Sequence, residues 1–317
     1  MEELRLYINK KIPTIATPFF KEKTTKALST LPSANVKKAQ LDLYRQELAT
    51  IIIDNVTYEI ENFHDVKKHM TASTMKIVDF LLNEDIKFVG NTFRSSVKEF
   101  MEFRGLKDFN NAKQQLIDGF RFLSKLVWTS EEKKKGKKVG SSTRISIWGG
   151  YSNVEDGKIE FTFGEKFLES LEGCSVKKKS RQLMNTNDHK NPYSYFFGDT
   201  ITTHKHMNRL KSNANLISVR TIISKCPIFP TYDEVITTGR QIQQRIIDPF
   251  ERDMTALSEM FSWEYCHTNG IPLSDDEIQN FNYDVFINCL VKIVWKNDPY
   301  IEEVKNKTLK IGQKKPV

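Results

Sequence analysis

An α+β chain that uses one plan twice is the fold class this 317-residue sequence predicts: two tandem domains, mostly helical, each closed by a β-hairpin. Three observations predict it. The length suits two domains rather than one. The stretch "KQQLIDGFRFLSKLVW" (Lys113 to Trp128) recurs as "QQRIIDPFERDMTALSEMFSW" (Gln243 to Trp263), so that Gln114, Ile117, Asp118 and Phe120 match Gln244, Ile247, Asp248 and Phe250 at one offset, 247 − 117 = 130. Each copy has helical spacing, follows shorter helical segments and precedes runs of strand character.

Composition is that of a globular protein, with 39% hydrophobic and 28% charged residues. No apolar run approaches the ~20 residues of a membrane span. The opening "MEELRLYINKK" lacks the apolar core of a secretory signal. Cys174, Cys226, Cys266 and Cys289 are too dispersed for a zinc knuckle or a redox pair, and read as reduced thiols of a cytoplasmic protein. A net charge of +8 favours an anionic partner.

Residues 1–54 read as an irregular arm and a helix, with apolar spacing from Val36 through Leu48 into an Ile-Ile-Ile run. The first domain spans 55–172. "NVTYEI" suits a strand. "ASTMKIVDFLLNE" puts Met75, Val78, Leu81 and Leu82 on one helical face. "RSSVKEFMEFRG" combines Ser96 with Glu99 as a capping box and ends on Gly105. A third helix begins near Asn110. After a lysine-rich loop, "TRISIWGG" and "GKIEFTFG" pair as a hairpin across "YSNVED", and "EKFLESLEG" closes the unit. Three helices followed by a two-stranded ribbon make a winged helix, with helices two and three as the turn pair.

Residues 173–192 are polar and basic and read as a linker, and 193–300 repeat the order. "YSYFFGDTITTHKHMNRLKSN" is a helical entry, "SVRTIISK" a short helix stopped at Cys226-Pro227, and "RQIQQRIIDPFERDMTALSEM" the long third helix. "FSWEYC" and "CLVKIVW" pair as the second wing, and 301–317 form a basic tail. Pro249 leaves two readings open. Inside a helix it removes a hydrogen bond and forces a bend, whereas Asp248-Pro249-Phe250-Glu251 also reads as a fresh helix start. Gly119 occupies the same place in the first copy.

In both copies the back half carries core residues and the front half carries polar ones. Asn110, Asn111, Lys113, Gln114 and Gln115 stand at the tip of the first, and Arg240, Gln241, Gln243, Gln244 and Arg245 at the tip of the second. Asn and Gln can bind adenine in two places and Arg can bind guanine in two places. A recognition helix offers such side chains from its N-terminal end. Lys133, Lys134, Lys135, Lys137 and Lys138 could neutralise phosphates beside the groove or stand as a solvated loop, and the same two readings hold for Lys177, Lys178, Lys179 and Arg181. Arg220 falls where a backbone contact is expected.

The run "VKEFMEFRGLKDFNNAKQQLIDGFRFLSKL", with "ISIWGG…GKIEFTFGEKFLESL" and "RQIQQRIIDPFERDMTALSEMFSWEY", resembles the plasmid replication initiators built from two winged-helix domains. The likeness covers roughly residues 70–300 and lies in pattern and order. It implies binding of both domains to repeated origin sites (iterons) in double-stranded DNA, opening of adjacent AT-rich DNA, recruitment of a host helicase or its loader, a homodimer, and a place in a bacterial cytoplasm on plasmid or nucleoid. The N-terminal arm and the long segment inside the second wing depart from that pattern.

Bond chemistry is not expected, nor a cofactor or metal. "GKKVGSS" lacks Walker spacing. His204-Lys205-His206 resembles the paired histidines of rolling-circle nickases, but Lys replaces the apolar residue between them. Ser274-Asp275-Asp276 reads as a helix start rather than a metal pair. The alternatives are a transcriptional regulator of the same architecture, a metal-dependent DNA nickase using His204 and His206, and an interaction scaffold.

Overall fold

The computed structural model describes residues 3–4, 49–53, 56–60, 71–82, 87–134, 137–138, 143–171, 179–237 and 241–297. Helices and small antiparallel sheets alternate, an α+β fold, in two compact units that divide between Asp188 and His189.

The first unit opens with β1 (Glu3–Leu4), β2 (Ala49–Ile53) and β3 (Val56–Ile60). The Ile-Ile-Ile run, expected to end a helix, is strand β2 and pairs with β3, Ile51 opposite Tyr58. Consecutive β-branched residues lose little in a pleated strand and lose rotamer freedom in a helix, so pairing overrides the apolar spacing. The rest of that expected helix, 36–48, lies outside the described residues.

Helix α1 (Ala72–Leu81) is capped by Thr71, and β4 (Lys87–Val89) and β5 (Thr92–Ser96) follow. Helix α2 (Val97–Arg104) begins with the expected Ser96–Glu99 capping box and ends at Gly105; α3 (Phe109–Lys125) is capped by Asp108. Strands β6 (Val127–Lys134), β7 (Lys137–Lys138), β8 (Thr143–Ser146), β9 (Trp148–Glu155) and β10 (Lys158–Phe163) lead to α4 (Glu165–Leu171), β11 (Lys179–Ser180) and α5 (Arg181–Asn185).

The hairpin differs from expectation in its register. "TRIS" is β8, which pairs with β6, and "YSNVE" lies inside β9. The hairpin turns at Asp156-Gly157, with Glu155 opposite Lys158 and φ of 48° and 73° at the two turn residues. A two-residue turn with positive φ at both positions follows the right-handed twist of its strands, and Asp-Gly is a sequence that supplies it. Strand β10 then pairs with β5, Phe161 opposite Phe93, giving the order β4-β5-β10-β9. Phe93, Phe100 and Phe103 surround Phe80, and Phe120 meets Phe161, all buried. Full burial of each such ring contributes roughly 1.5–3 kcal/mol.

Helix α1 is buried on nearly every side, its polar face included. Its apolar face packs into the core as expected. Its other face is covered by residues 179–188, part of the segment expected as a linker. Lys179 Nζ meets both oxygens of Asp79 at 2.8 Å, and Lys76 Nζ donates to Asp188, to the Thr186 carbonyl at 2.9 Å and to its hydroxyl at 2.8 Å. Arg104 Nη2 holds the second oxygen of Asp188 at 2.6 Å. Lys179 therefore serves the fold. Lys177 and Lys178 lie outside the described residues.

The second unit runs α6 (Ser194–Asn208), β12 (Leu216–Ser218), α7 (Val219–Ser224), α8 (Tyr232–Thr237), a π turn (Gln243–Ile247), α9 (Asp248–Thr255), β13 (Phe261–Cys266), α10 (Asp275–Gln279), α11 (Tyr283–Asn288) and β14 (Leu290–Trp295). "FSWEYC" and "CLVKIVW" pair as expected, Phe261 opposite Trp295, and β14 also pairs with β12. The order β12-β14-β13 repeats β5-β10-β9: the strand before the second helix pairs with a later strand, β14 or β10, which pairs with the one before it. Ser274 caps α10, so Asp275 and Asp276 start a helix, as expected. Phe250, buried at the centre, meets Phe197, Trp263, Tyr265 and Phe286.

Removing Asp188 would leave Lys76 and Arg104 buried side by side with no shared anion. Asp188→Ala is expected to destabilise the first unit by about 3–5 kcal/mol, read by urea unfolding, whereas Lys76→Met keeps the Arg104–Asp188 pair and costs less. Burial pushes the Lys76 ammonium down to about 8. The unfolded chain holds that proton more tightly, so this group makes stability rise with pH between about 8 and 10.5. An NMR titration of Lys76 Cε is expected to show its midpoint near the lower value.

Candidate nucleic-acid interface

In the first unit the tip of α3 is built by its cap. Asp108 Oδ1 accepts the Asn111 N–H at 2.6 Å, which starts the helix and leaves Asn110, Asn111 and Gln114 exposed, with Lys113 half-buried. Asn111 Oδ1 accepts from Gln115 Nε2 at 3.0 Å. Gln115 itself is tied to the fold, its Oε1 accepting from Ser73 at 3.2 Å and Arg104 at 3.3 Å. Gln114 Nε2 donates to Asp118 Oδ2 at 3.0 Å, and Arg121 Nη1 donates to the other Asp118 oxygen at 3.1 Å.

The Asp156-Gly157 hairpin turn lies beside this tip. The Gly157 carbonyl accepts the Val97 N–H at 2.8 Å, and a Cβ added at Gly157 would stand 3.8 Å from the Phe109 ring. Hairpin turn, start of α2 and start of α3 therefore share one side of the unit. Exposed Lys98, Lys107 and Lys158 surround it together with Glu155 and Asp156, a mixed rather than uniformly basic rim.

Gly119 is buried against α1: a Cβ there would stand 2.4 Å from Ile77 Cδ1. The helix former is sacrificed for close approach of two helices. At the equivalent place in the second unit stands Pro249. There the chain is one continuous helical run, with Ile242, Ile247 and Asp248 all in right-handed helical conformation. The run widens into a π turn just ahead of the proline, and the Asp248 N–H bonds to the Gln243 carbonyl, five residues back. A proline ring crowds the carbonyl four residues before it, and the wider turn relieves that crowding. Neither a break nor two abutting helices results.

Gln241, Gln243, Gln244 and Arg245 are exposed on this widened tip. Gln243 Nε2 donates to Asp248 Oδ1 at 2.6 Å. Arg220, on α7, is exposed and donates to Asn288 Oδ1 at 3.0 Å. Arg240 lies outside the described residues. The helix is anchored by Asp253, fully buried. Its Oδ1 accepts the N–H groups of Tyr193 at 2.7 Å and Ser194 at 2.8 Å, and its Oδ2 accepts from Arg252 Nη2 at 2.6 Å. The start of α6 is thus capped from the third helix. Burial raises the Asp253 carboxyl above its usual range despite these donors.

One repeat escaped sequence reasoning. Ser96-Val97-Lys98 and Ser218-Val219-Arg220 occupy the same structural position: the serine ends the first sheet strand and caps the second helix, and the valine is fully buried. The signal was present as a shared Ser-Val-basic triplet. It makes Lys98 the counterpart of Arg220. The described part of the lysine-rich segment is paired strand rather than the expected loop. Lys133 and Lys134 end β6 and pair with Lys138 and Lys137 of β7, while Lys135 lies outside the described residues.

His204 and His206 are two residues apart on α6, about 200° around the helix, so their rings leave on different sides. The His204 ring lies between the Asn213 carbonyl at 3.4 Å and the Asn208 amide at 3.3 Å. Among the described residues no group of three or more His, Cys, Asp or Glu converges as metal ligands would, and no helix is long and apolar enough to cross a membrane.

Neither a family model nor a curated protein matches the sequence. Two solved structures of domains 2 and 3 of RctB align with the chain. A selenomethionine derivative does so with a TM-score of 0.47 at 9% identity, over 87% of this chain and 99% of that one. The second has a TM-score of 0.42 at 9% identity, over 84% of this chain and 96% of that one.

Asp253→Ala is expected to strip the cap from α6, leaving the Tyr193 N–H without this acceptor and the Ser194 N–H with only the Asn191 carbonyl at 3.3 Å, at a cost of about 1–3 kcal/mol. Chemical denaturation checks the loss, and hydrogen exchange at Tyr193 and Ser194 is expected to accelerate with it.

Proposed function

We propose that the chain is a replication initiator that binds repeated origin sites in double-stranded DNA through two winged-helix units and opens the adjacent duplex. The observation that carries this reading is the repeated topology. In each unit a helix, a short strand and a serine-capped helix precede the long helix that stands third in the pattern, and a later strand pairs both with that short strand and with the strand before it; β4 and β6 to β8 are additions in the first unit, and α8, α10 and α11 in the second. A winged helix has that connectivity, and its third helix enters the major groove tip first. Both third helices here expose amide or guanidinium groups at the tip: Asn110, Asn111 and Gln114 in one, Gln241, Gln243, Gln244 and Arg245 in the other. Gln241, Gln244 and Arg245 make no side-chain hydrogen bond within the described residues and are free to meet base edges.

Lys98 and Arg220 sit one residue inside the second helices, where a side chain meets phosphate and sets register without reading sequence. The paired lysines of β6 and β7 add charge of the same kind. The reading assigns no bond chemistry to the chain, so strand separation relies on binding energy and on a host helicase or its loader. A second copy of the chain is a further expected partner, and action in the cytoplasm follows from the reading. The sequence resemblance to tandem winged-helix initiators points the same way.

Gln244→Ala and Arg245→Ala are each expected to cost about 1–3 kcal/mol and to relax preference at one base pair, measured by fluorescence anisotropy on base-substituted duplexes. Replacing Lys133, Lys134, Lys137 and Lys138 is expected to weaken all duplexes alike and to flatten the salt slope by about one unit per lost phosphate contact. An initiator makes adjacent AT-rich DNA reactive to permanganate on a supercoiled origin plasmid. A transcriptional regulator binds without that reactivity. Magnesium-dependent nicking abolished by His206→Ala would replace both readings with the nickase.

A further inference from the structure

The recognition tips share a device that the sequence alignment conceals. At the single offset of the repeat, Gln114 aligns with Gln244 and Asp118 with Asp248. In the first unit the amide held by the aspartate is Gln114, four residues before Asp118. In the second unit it is not Gln244 but Gln243, five residues before Asp248. The π turn accounts for the change. It adds one residue to the turn, so the side chain five positions back comes to lie over the aspartate, where an α-helix would bring the one four positions back. The Gln–Asp pair is kept while the glutamine that forms it has slipped by one.

We propose that Asp118 and Asp248 are positioning residues that fix the amide orientation of Gln114 and Gln243 for readout of one adenine each. This inference rests on the DNA-binding reading above. A free glutamine amide turns over, exchanging its donor and acceptor ends, and a base edge sees both. A carboxylate accepts only from the N–H end. With one N–H committed to aspartate, the other N–H and the Oε1 acceptor face outward in a fixed order. Adenine presents N7 as acceptor and N6–H as donor and meets that order in two bonds. Asp118 is itself steadied by Arg121 on its other oxygen. Each aspartate and each glutamine is exposed, so the pair is not needed to complete a core.

The test uses the full chain and randomised duplex libraries, followed by anisotropy on selected and base-substituted sites. Asp118→Ala and Asp248→Ala are each expected to reduce preference at one adenine about ten-fold, one unit of a bidentate base contact. Affinity for non-specific duplex is expected to hold or rise, because a negative charge near phosphate is removed, and unfolding midpoints are expected to stay in place. Asp248→Asn, which retains an acceptor oxygen, is expected to keep most of the preference. In the Gln243→Ala background Asp248→Ala is expected to have no further effect, whereas in the Gln244→Ala background it keeps its full effect. Aspartate variants with the parent base profile, or effects that simply add to that of Gln243→Ala, would overturn the positioning role. A parent chain with no base preference at all would instead overturn the DNA-binding reading on which it stands.

Discussion

The pairing of β10 with β5 and of β14 with β12, the short strands ahead of the second helices, is the constraint on which the rest depends. Phe161 opposite Phe93 in one unit, and Val291 opposite Ile217 in the other, bring together segments far apart in sequence. That pairing fixes where the second helix begins, because Ser96 and Ser218 end the paired strands and cap the helices at the same time. It carries the Asp156-Gly157 turn to the start of α2 and α3 in the first unit. Without it the third helix would have a buried face but no fixed neighbour at its tip.

Buried charge is the second organising element, and the units use it differently. In the first, two cations share Asp188 and a third pairs with Asp79, so the polar face of α1 is sealed under residues 179–188. Such an arrangement adds little net stability compared with a well-packed apolar substitute, but it admits few alternative packings of the segment that covers it. In the second unit a single carboxylate, Asp253, does related work by capping one helix from another. Both devices lie behind the exposed tips and hold the helices that present them.

Much of this was legible in the sequence because local chemistry and tertiary structure agree. Ser96 with Glu99 announces a helix start, Gly105 a stop, Cys226-Pro227 another stop, and "FSWEYC" with "CLVKIVW" a strand pair, and the described elements follow. Where the sequence misled, a non-local partner decided the outcome. The Ile-Ile-Ile run became a strand because β3 was there to pair with it, and "TRIS" joined β6 rather than the wing. Lys179 read as a linker charge because nothing in its own neighbourhood reveals Asp79, a hundred residues earlier. At the tips, residue types pointed to Asn110, Asn111, Gln114, Gln241, Gln243, Gln244 and Arg245, and each is exposed. Lys98 was passed over because a lone lysine carries no signal until its strand is aligned with that of Arg220.

The extra residue in the π turn also bears on how far the two halves can be interchanged. Each residue of an α-helix advances the side-chain direction by about 100°. A chimera joined by residue-for-residue alignment would put Leu116 in the place of Ile246, both buried, yet would bring a different glutamine over the aspartate. The duplicated helix has thus become two parts that keep one buried face and differ in the side chain each sets over its aspartate.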